Sequence, residues 1–302
     1  MTTLQSFMYH DVRDLNETAF PKRYVLKSFL RRKQFENQLD YIQKNYEVIH
    51  SRDILNIDFK KDNKNLAVLT FDDGLKDHYT TVYPLLKERN MPATFFVPTK
   101  PLTDNMIIVS HMIQFILAAE DEYKIVEIIL NELSDSEKIE IYEKYSKSKW
   151  KKNWWSKNMI FVTNYLRERP YEAHYFFNKI VRVDNEEFSK NLYLSFQELE
   201  HIANDSLFTI GCHGDISENY INMKNVDILT DISRCVNIIK SYTDFLTVSY
   251  PNGGYNDLVK NTYNICGTRL GFTVEQKTLT SLDDIDYMEM PRYDAPQKLP
   301  LI

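Results

Sequence analysis

Short apolar runs and amphipathic stretches follow one another along the chain and predict alternating strands and helices. The apolar runs that are typical of strands lie at residues 5–9, 46–49, 66–71 and 93–97. Between the first two runs, Phe35, Leu39 and Ile42 fall on one face of a predicted helix over residues 30–44. A further helix is predicted over residues 82–89. This strand–helix–strand order predicts an α/β fold with parallel strands.

The stretch from residue 103 to residue 191 has a different pattern. It contains no glycine, is rich in Lys, Glu and Tyr, and shows helical periodicity, with amphipathic helices predicted at residues 125–133 and 135–145. We interpret residues 103–191 as a helical insertion within a single domain of residues 1–302. Such an insertion is also a candidate surface for oligomer formation.

The strand and helix pattern resumes after the insertion. A capping box at Ser195 and Glu198 predicts the start of another helix. Later strands and extended segments are predicted at residues 208–211, 245–250, 272–274 and 288–292, with a helix at 226–241. In folds of this kind the active site gathers at the carboxyl ends of the strands.

Titratable side chains follow several of the predicted strands. Asp72 and Asp73 come directly after an apolar run, and Gly74 permits a tight turn behind them. Two adjacent carboxylates repel each other unless a divalent cation offsets their charge, although both could instead cap a turn and a helix. His10 and His213 also follow strands, and each alone is as consistent with a structural role as with a ligand. Together the four predict a metal-assisted hydrolytic site.

Composition narrows the class of protein. The net charge of −6 argues against a nucleic-acid-binding protein. Three cysteines without a Cys-x-x-Cys spacing argue against a disulfide framework or a structural zinc site. The sequence has neither a signal-like opening nor a run of about 18 apolar residues, so we expect a cytoplasmic protein without a membrane span.

Four motifs resemble those of the polysaccharide deacetylase family, also called the NodB-homology family. The resemblance covers residues 6–98 and 194–294. The motifs are Thr70–Gly74, which matches the first family motif in full; Met8–Val12 with Phe35–Leu39, which resembles the N-terminal signature of a permuted branch; Tyr250–Tyr255, which resembles the third motif; and Met290–Arg292, which resembles a late Pro-Arg segment.

The resemblance implies a fold and a set of catalytic roles. The implied fold is a distorted (β/α) barrel of about seven strands that carries the helical insertion. Asp72 would be the base that activates water, His10 the general acid that protonates the leaving amine, and Arg292 the partner that holds Asp72.

The resemblance also implies a metal site and an oxyanion site. Asp73 and His213 would bind a divalent metal ion, with zinc the expected ion, and Ser217 stands where the family has a second histidine. The loop at Tyr250, Pro251 and Asn252 would contact the substrate and supply a backbone amide to the oxyanion.

The serine at position 217 is the main departure from the family pattern, because a hydroxyl is a poor zinc ligand. Three outcomes are open. Ser217 or a water fills the position, Asp215 or Glu218 supplies a carboxylate, or the protein has lost metal and activity. We favour a retained but altered site, because the other predicted catalytic and metal-binding side chains are all present.

The predicted function is therefore metal-dependent removal of an N-acyl group, with N-acetyl expected, from a sugar. The sugar would belong to a bacterial surface polysaccharide or its precursor, and a cytoplasmic location favours the precursor. The alternatives are a carbohydrate-binding pseudoenzyme of the same fold and an O-deacylase.

Overall fold

The computed structural model describes residues 1–14, 29–61, 63–147, 155–283 and 285–300. The chain divides into two compact units. The described residues of the first unit are 1–14, 29–61, 63–106, 189–283 and 285–300, and those of the second are 107–147 and 155–188. Whether the second unit is an insertion in one domain stays a prediction.

The strands all lie in the first unit. They are β1 (Thr3–Tyr9), β2 (Asp11–Val12), β3 (Phe29–Leu30), β4 (Glu47–Val48), β5 (Asn65–Phe71), β6 (Ala93–Val97), β7 (Phe208–Cys212), β8 (Thr247–Ser249), β9 (Leu270–Phe272) and β10 (Tyr293–Asp294). Eight of them form one sheet in the order β10-β1-β5-β6-β7-β8-β9, with β4 paired to β5. Every pairing in this sheet is parallel, as the sequence predicted.

The two edges of this sheet are joined by the chain segment at residues 290–294. Met290 forms a parallel bridge with Phe272 of β9, and three residues later Tyr293 pairs with Phe7 of β1. The sheet therefore curls into an incomplete barrel, which confirms the predicted fold class. Arg292 lies in the short stretch between the two edges, which puts it beside the ends of strands from both sides.

The helices of both units are α1 (Arg32–Asn45), α2 (Tyr83–Glu88), α3 (Lys100–Asp104), α4 (Val109–Ala119), α5 (Glu122–Leu130), α6 (Asp135–Tyr145), α7 (Lys157–Arg167), α8 (Pro170–Ile180), α9 (Asn185–Leu192), α10 (Phe196–Ala203), α11 (Asn225–Ile239), α12 (Asp257–Ile265) and α13 (Ala295–Lys298). A π-helical turn, His78–Val82, precedes α2, and helical backbone already begins at Lys76, six residues before the predicted start. No helix among the described residues is long and apolar enough to cross a membrane.

The core of the first unit is built around β5 and β6. Both strands are buried along their length, apart from Asn65, because helices cover one face and the barrel interior covers the other. Phe71 stacks on Tyr9 at 5.1 Å between ring centroids and on Phe95 at 5.2 Å. Rings from β1, β5 and β6 therefore form one continuous layer, which fixes the positions of the strand ends above it.

The second unit has its own apolar core. Helix α4 packs against α7 and α8, and Ile116, Phe161 and Phe177 are fully buried there. Helix α6 begins at a capping box in which Ser134 and Glu137 satisfy each other's backbone amides, a feature that stabilises the first turn.

The close approach of β7 to its neighbours depends on a glycine. A Cβ atom at Gly211 would lie 2.5 Å from the ring of Phe96 and 2.6 Å from Oγ1 of Thr247. We therefore predict that Gly211→Ala lowers the free energy of unfolding by about 1–3 kcal/mol, since overpacking forces neighbours apart. Denaturant unfolding measures this. Ser206→Ala, at an exposed position before the same strand, is the control and should change it by less than about 0.5 kcal/mol. An unchanged unfolding free energy for Gly211→Ala would contradict the packing described here.

Candidate active site

Predicted site residues lie at the carboxyl ends of neighbouring strands of the sheet. His10 follows β1, Asp72 follows β5, His213 follows β7 and Tyr250 follows β8. Because these strands are parallel, their carboxyl ends meet at one end of the incomplete barrel. The fold thus gathers residues that are far apart in sequence.

The carboxylate of Asp72 forms a two-pronged ion pair with Arg292. Nη1 of Arg292 donates to Oδ1 at 2.8 Å, and Nη2 donates to Oδ2 at 2.9 Å. The hydroxyl of Ser249 also donates to Oδ2, at 2.9 Å. Both partners of the ion pair are almost completely buried, with 2% of Asp72 and 1% of Arg292 exposed. Such paired, planar geometry holds the carboxylate in one orientation.

The guanidinium of Arg292 uses all five of its N–H groups. Besides the two bonds to Asp72, Nε donates to the carbonyl of Thr273 at 3.0 Å, Nη1 to the hydroxyl of Thr70 at 3.1 Å, and Nη2 to the hydroxyl of Ser249 at 2.7 Å. Thr70 can take part because residues two apart on a strand point to the same face. A buried arginine with every donor paired is a rigid support for the carboxylate beside it.

The pKa of Asp72 is lowered from its ordinary value. Burial alone would raise it, but the positive charge and hydrogen bonds of Arg292 outweigh burial, with further contributions from His213 and His10. Asp72 therefore remains a carboxylate at neutral pH. Oδ1 has one hydrogen-bond donor in contact and Oδ2 has two, so Oδ1 has more room to accept a proton from water.

The side chains of Asp73 and His213 face each other beside this ion pair. Nε2 of His213 lies 3.3 Å from Oδ1 of Asp73. Nδ1 of the same ring lies 2.9 Å from the carbonyl of Ser249, which can only accept, so Nδ1 carries the hydrogen. This second contact turns Nε2 toward Asp73, the arrangement found at histidines that bind metals.

The pKa of His213 is raised. Burial opposes the charged ring, but the hydrogen bond that His213 donates to Asp73 and the negative charges of Asp72 and Asp73 together outweigh it. The place between Asp73 and His213 thus attracts positive charge. Two ligands of one tetrahedral zinc ion, at bond lengths of about 2.0–2.2 Å, lie about 3.4 Å apart, and the pair matches that spacing.

The third metal-ligand position is not filled by a charged or imidazole side chain. Within the part of the chain that the structure describes, no group of three His, Cys, Asp or Glu side chains is placed to hold one ion. Oδ1 of Asp215 instead accepts a hydrogen bond from the hydroxyl of Thr99 at 2.6 Å. Ser217 is buried on the same loop. The residues therefore fit a divalent ion with two side-chain ligands and leave the rest of its coordination to hydroxyl or water oxygens.

The loop that carries Ser217 is held from beneath by Asp231. One carboxylate oxygen of Asp231 accepts from the amide of Ile216 at 2.9 Å, and the other accepts from the hydroxyl of Tyr220 at 2.8 Å. A Cβ atom at Gly214, whose φ is +69°, would lie 2.9 Å from Asp231. The glycine is thus required both by the backbone conformation and by the close approach of this carboxylate.

Three of the predicted site residues adopt a backbone conformation that is unusual for their type. The φ angle is +80° at Asp73, +55° at Ser217 and +52° at Asn252. Side chains other than glycine rarely adopt this region, and such residues cluster at functional sites. The loops after β5, β7 and β8 therefore share a feature that is typical of an active site.

Of the three residues predicted to form the oxyanion site in the loop after β8, one has a backbone N–H that can donate to a substrate oxygen. The amide of Tyr250 donates to the carbonyl of Phe272 at 3.2 Å, and Pro251 has no N–H. Of the three residues, this leaves Asn252, which is exposed. The hydroxyl of Tyr250 donates to the carbonyl of Met288 at 2.9 Å, so its ring is a support for the loop rather than a substrate contact.

His10 is half-buried between β1 and β2. A positive charge on the imidazole of His10 adds to the lowering of the pKa of Asp72. Its backbone carbonyl accepts a hydrogen bond from Nε2 of His78 at 2.8 Å.

Sequence reasoning missed the supporting residues of the site. Ser249, Thr70 and Thr99 each contact a residue that the sequence singled out, and Asp231 holds the loop that carries Ser217. The only signal for Ser249 was its position directly before the Tyr-Pro motif at the end of a strand. Asp231 lies inside a helix and carries no such signal.

Comparisons with known proteins bear on the same region. A sequence model of the family described as polysaccharide deacetylase matches residues 59–123, a segment that includes Asp72 and Asp73. A Bacillus subtilis (strain 168) protein, YxkH, which carries a polysaccharide deacetylase name, is 29% identical over 102 residues. That alignment covers 33% of this chain and 33% of YxkH, so the chain matches about a third of that relative's length. These matches confirm the resemblance to the polysaccharide deacetylase family.

Solved structures of low sequence identity share the fold. The Streptococcus pyogenes deacetylase PplD in complex with acetate has a TM-score of 0.60 at 13% identity, covering 97% of this chain and 92% of that one. IcaB from Ammonifex degensii has a TM-score of 0.56 at 15% identity, covering 97% and 91%. The de-N-acetylase from Aggregatibacter actinomycetemcomitans has a TM-score of 0.54 at 15% identity, covering 96% and 94%.

The buried ion pair leads to a prediction about stability. Arg292→Met leaves Asp72 buried without its main partner, and we expect it to lower the free energy of unfolding by about 3–5 kcal/mol. Adding Asp72→Asn to the same chain should recover part of that loss, because the stranded charge is removed. Denaturant unfolding of the three proteins measures both effects. Arg269→Met, which alters an exposed arginine just before β9, is the control. A loss below about 1 kcal/mol for Arg292→Met would show that the pair is not the support described here.

Proposed function

We propose that this chain, which resembles polysaccharide deacetylases, removes an N-acyl group, with N-acetyl expected, from a sugar of a bacterial surface polysaccharide or its precursor. The observation that carries the proposal is the buried carboxylate of Asp72, held by Arg292 next to the paired side chains of Asp73 and His213. A fixed base beside a position that attracts positive charge is what water activation for amide hydrolysis requires.

The proposed reaction begins at the acyl group. Asp72 accepts one proton from a water molecule, and the water oxygen bonds to the acyl carbon. The backbone amide of Asn252 donates a hydrogen bond to the oxygen that gains negative charge. The bond between carbon and nitrogen then breaks, and His10 gives a proton to the departing nitrogen. The products are a carboxylate and an amine.

A divalent metal ion is part of this proposal. Asp73 and His213 would hold it, and Ser217 or water would complete its coordination. When bound, such an ion supplies positive charge that polarises the acyl oxygen and lowers the pKa of water. Because Ser217 offers only a hydroxyl beside Asp73 and His213, we expect the site to select less strongly among divalent ions than the usual zinc site does. Zinc is still the expected ion, but it should bind more weakly.

One observation favours a second function. Because a third strong metal ligand is absent from the described residues, a carbohydrate-binding protein that has lost turnover is the main alternative. An O-deacylase is a further alternative, since the same water activation serves esters. The cytoplasmic location, and oligomer formation through residues 103–191, stay predictions.

The role of Asp72 can be tested directly. Asp72→Asn keeps the size of the side chain but removes the base, and we expect release of acetate from N-acetylglucosamine oligomers to fall by about a hundredfold or more. Because Asp73 and His213 are unchanged, bound divalent metal, measured by elemental analysis, should remain. Asp53→Asn, at an exposed position, is the control and should keep the full rate. A near-normal rate for Asp72→Asn would exclude Asp72 as the base.

The unaltered protein separates the enzyme from the binding protein. If it binds no metal and releases no acetate under any added divalent ion, the carbohydrate-binding alternative is favoured.

The third ligand position gives a separate test. Histidine tolerates the positive φ at position 217, so Ser217→His should place an imidazole on the metal-site loop. We expect zinc affinity to rise by about 1.4 kcal/mol or more, which is tenfold in the dissociation constant. Isothermal titration with zinc measures this. Ser206→His adds a histidine at a distant exposed position and should leave the affinity unchanged. Equal affinities for Ser217→His and the unaltered protein would mean that position 217 does not face the metal.

A further inference from the structure

Two consecutive residues of the segment after β5 hold the main chain at His10, the proposed proton donor, and two residues after it. The imidazole Nε2 of His78 lies 2.8 Å from the carbonyl oxygen of His10. The carboxylate of Asp77 accepts a hydrogen bond from the backbone amide of Val12, two residues further along. We call these two side chains the Asp77–His78 clamp. Neither residue belongs to the ion pair or to the metal-ligand pair.

His78 is a buried, neutral hydrogen-bond donor. A carbonyl oxygen can only accept, so Nε2 carries the hydrogen in the contact with His10. The ring is fully buried, and its centroid lies 5.7 Å from those of both Phe71 and Phe95. Burial lowers the pKa of His78 to about 4, so the ring is uncharged at neutral pH. It therefore acts as a fixed donor.

Asp77 belongs to a group of three titratable side chains, of which both carboxyl groups are buried. Arg13 bridges two carboxylates: its Nε lies 2.6 Å from Asp11, and its Nη2 lies 3.4 Å from Asp77. Asp11 and Arg13 flank Val12, whose amide Asp77 binds. Burial and the nearby charge of Asp11 raise the pKa of Asp77, while Arg13 opposes that rise. The arrangement ties residues 11–13 to the segment after β5 through side-chain contacts.

The position of a catalytic side chain depends most on outside support when its backbone lies outside a strand or helix. His10 lies between two strands, outside the regular pairing that fixes its neighbours. A general acid must come within about 2.6–3.2 Å of the atom that it protonates. A misplacement of about 1 Å can cost on the order of a hundredfold in rate. The main chain at His10 therefore needs support from elsewhere in the fold.

We propose, on the basis of the function proposed above, that Asp77 and His78 are positioning residues for His10. By holding the carbonyl of His10 and the amide of Val12, they keep the imidazole of His10 where it can give its proton to the leaving group. They act through His10 and do not touch the reacting atoms.

This role differs from general structural support in its dependence on the leaving group. An amine must receive a proton before it can leave, whereas a nitrophenolate leaves without one. Loss of His10 placement should therefore slow hydrolysis of an amide and spare hydrolysis of 4-nitrophenyl acetate. Loss of folded protein would slow both reactions equally, so the ratio of the two values of kcat/KM does not depend on the folded fraction.

A matched pair of variants isolates the hydrogen bond. His78→Leu removes the donor, while His78→Gln keeps an N–H at about the same reach, and both lose the ring. We expect the ratio of kcat/KM for N-acetylglucosamine oligomers to that for 4-nitrophenyl acetate to fall by about tenfold or more in His78→Leu. His78→Gln should recover most of that ratio. Ester hydrolysis by Asp72→Asn is subtracted as background. An unchanged ratio in His78→Leu, or equal losses in both variants, would overturn the proposal.

His201→Leu is the control for these measurements. His201 makes a hydrogen bond of its own, with Nδ1 2.6 Å from the hydroxyl of Tyr79. Unlike His78, it is exposed, on helix α10. Its loss should leave the ratio unchanged. A fall in the ratio for His201→Leu would show that the assay responds to general disturbance, which would remove the support for the clamp.

Failure of the positioning role can be distinguished from failure of the proposed amide hydrolysis. If the unaltered protein hydrolyses esters but no amide, the proposed amidase fails, and the ratio of an alkyl acetate to 4-nitrophenyl acetate tests the clamp instead, because an alkoxide also needs a proton. If it hydrolyses nothing, NMR still decides. The carbonyl carbon and imidazole signals of His10 should shift in His78→Leu and return in His78→Gln. Unchanged His10 signals in His78→Leu would overturn the proposal.

Discussion

The ion pair between Asp72 and Arg292 is the interaction on which the rest of the site depends. Taking two charges out of water costs several kcal/mol for each, and only complete pairing offsets that cost. Here every N–H of Arg292 has an acceptor, and both oxygens of Asp72 have donors. Because the acceptors come from separate strands, the pair can form only when those strands are in register.

This requirement connects the two ends of the chain. Arg292 reaches Asp72 because Met290 bridges to β9 on one side and Tyr293 pairs with β1 on the other. The segment that curls the sheet into an incomplete barrel is therefore the same segment that completes the site. The carboxylate proposed as the base is thus already oriented by its partners, and groups oriented before the reaction are a main source of electrostatic catalysis.

Hydrophobic patterns in the sequence predicted where several strands end, because an apolar run marks the buried part of a strand. The apolar run at residues 66–71 placed Asp72 and Asp73 at a carboxyl end, and β6 has the predicted bounds Ala93–Val97. The predicted strand at 245–250 is shorter, Thr247–Ser249, because only those residues pair with β9. Tyr250 instead uses its amide to cap the end of that pairing, a contact that no local pattern reveals.

The supporting contacts could not be predicted from the sequence, for a related reason. Ser249, Asp231 and His78 act through partners that are 11 to 177 residues away in sequence. Hydrophobic periodicity reports which face of an element is buried, but it does not report which polar group meets it there. A polar residue inside a buried element must have a partner, yet the identity of that partner is set by the tertiary fold.

The pair of Asp73 and His213 limits how strongly the proposed divalent ion could bind. The raised pKa of His213 means that this ring, beside Asp73, holds a proton more readily than a free imidazole does. A metal ion binds the neutral ring, so it must displace that proton. With only two strong ligands, the gain from binding the ion is smaller than at a three-ligand site, while the cost of displacing the proton is the same. Half-occupancy of this site should therefore require a higher pH or a higher metal concentration than at the usual three-ligand zinc site, and the serine at position 217 is the physical reason.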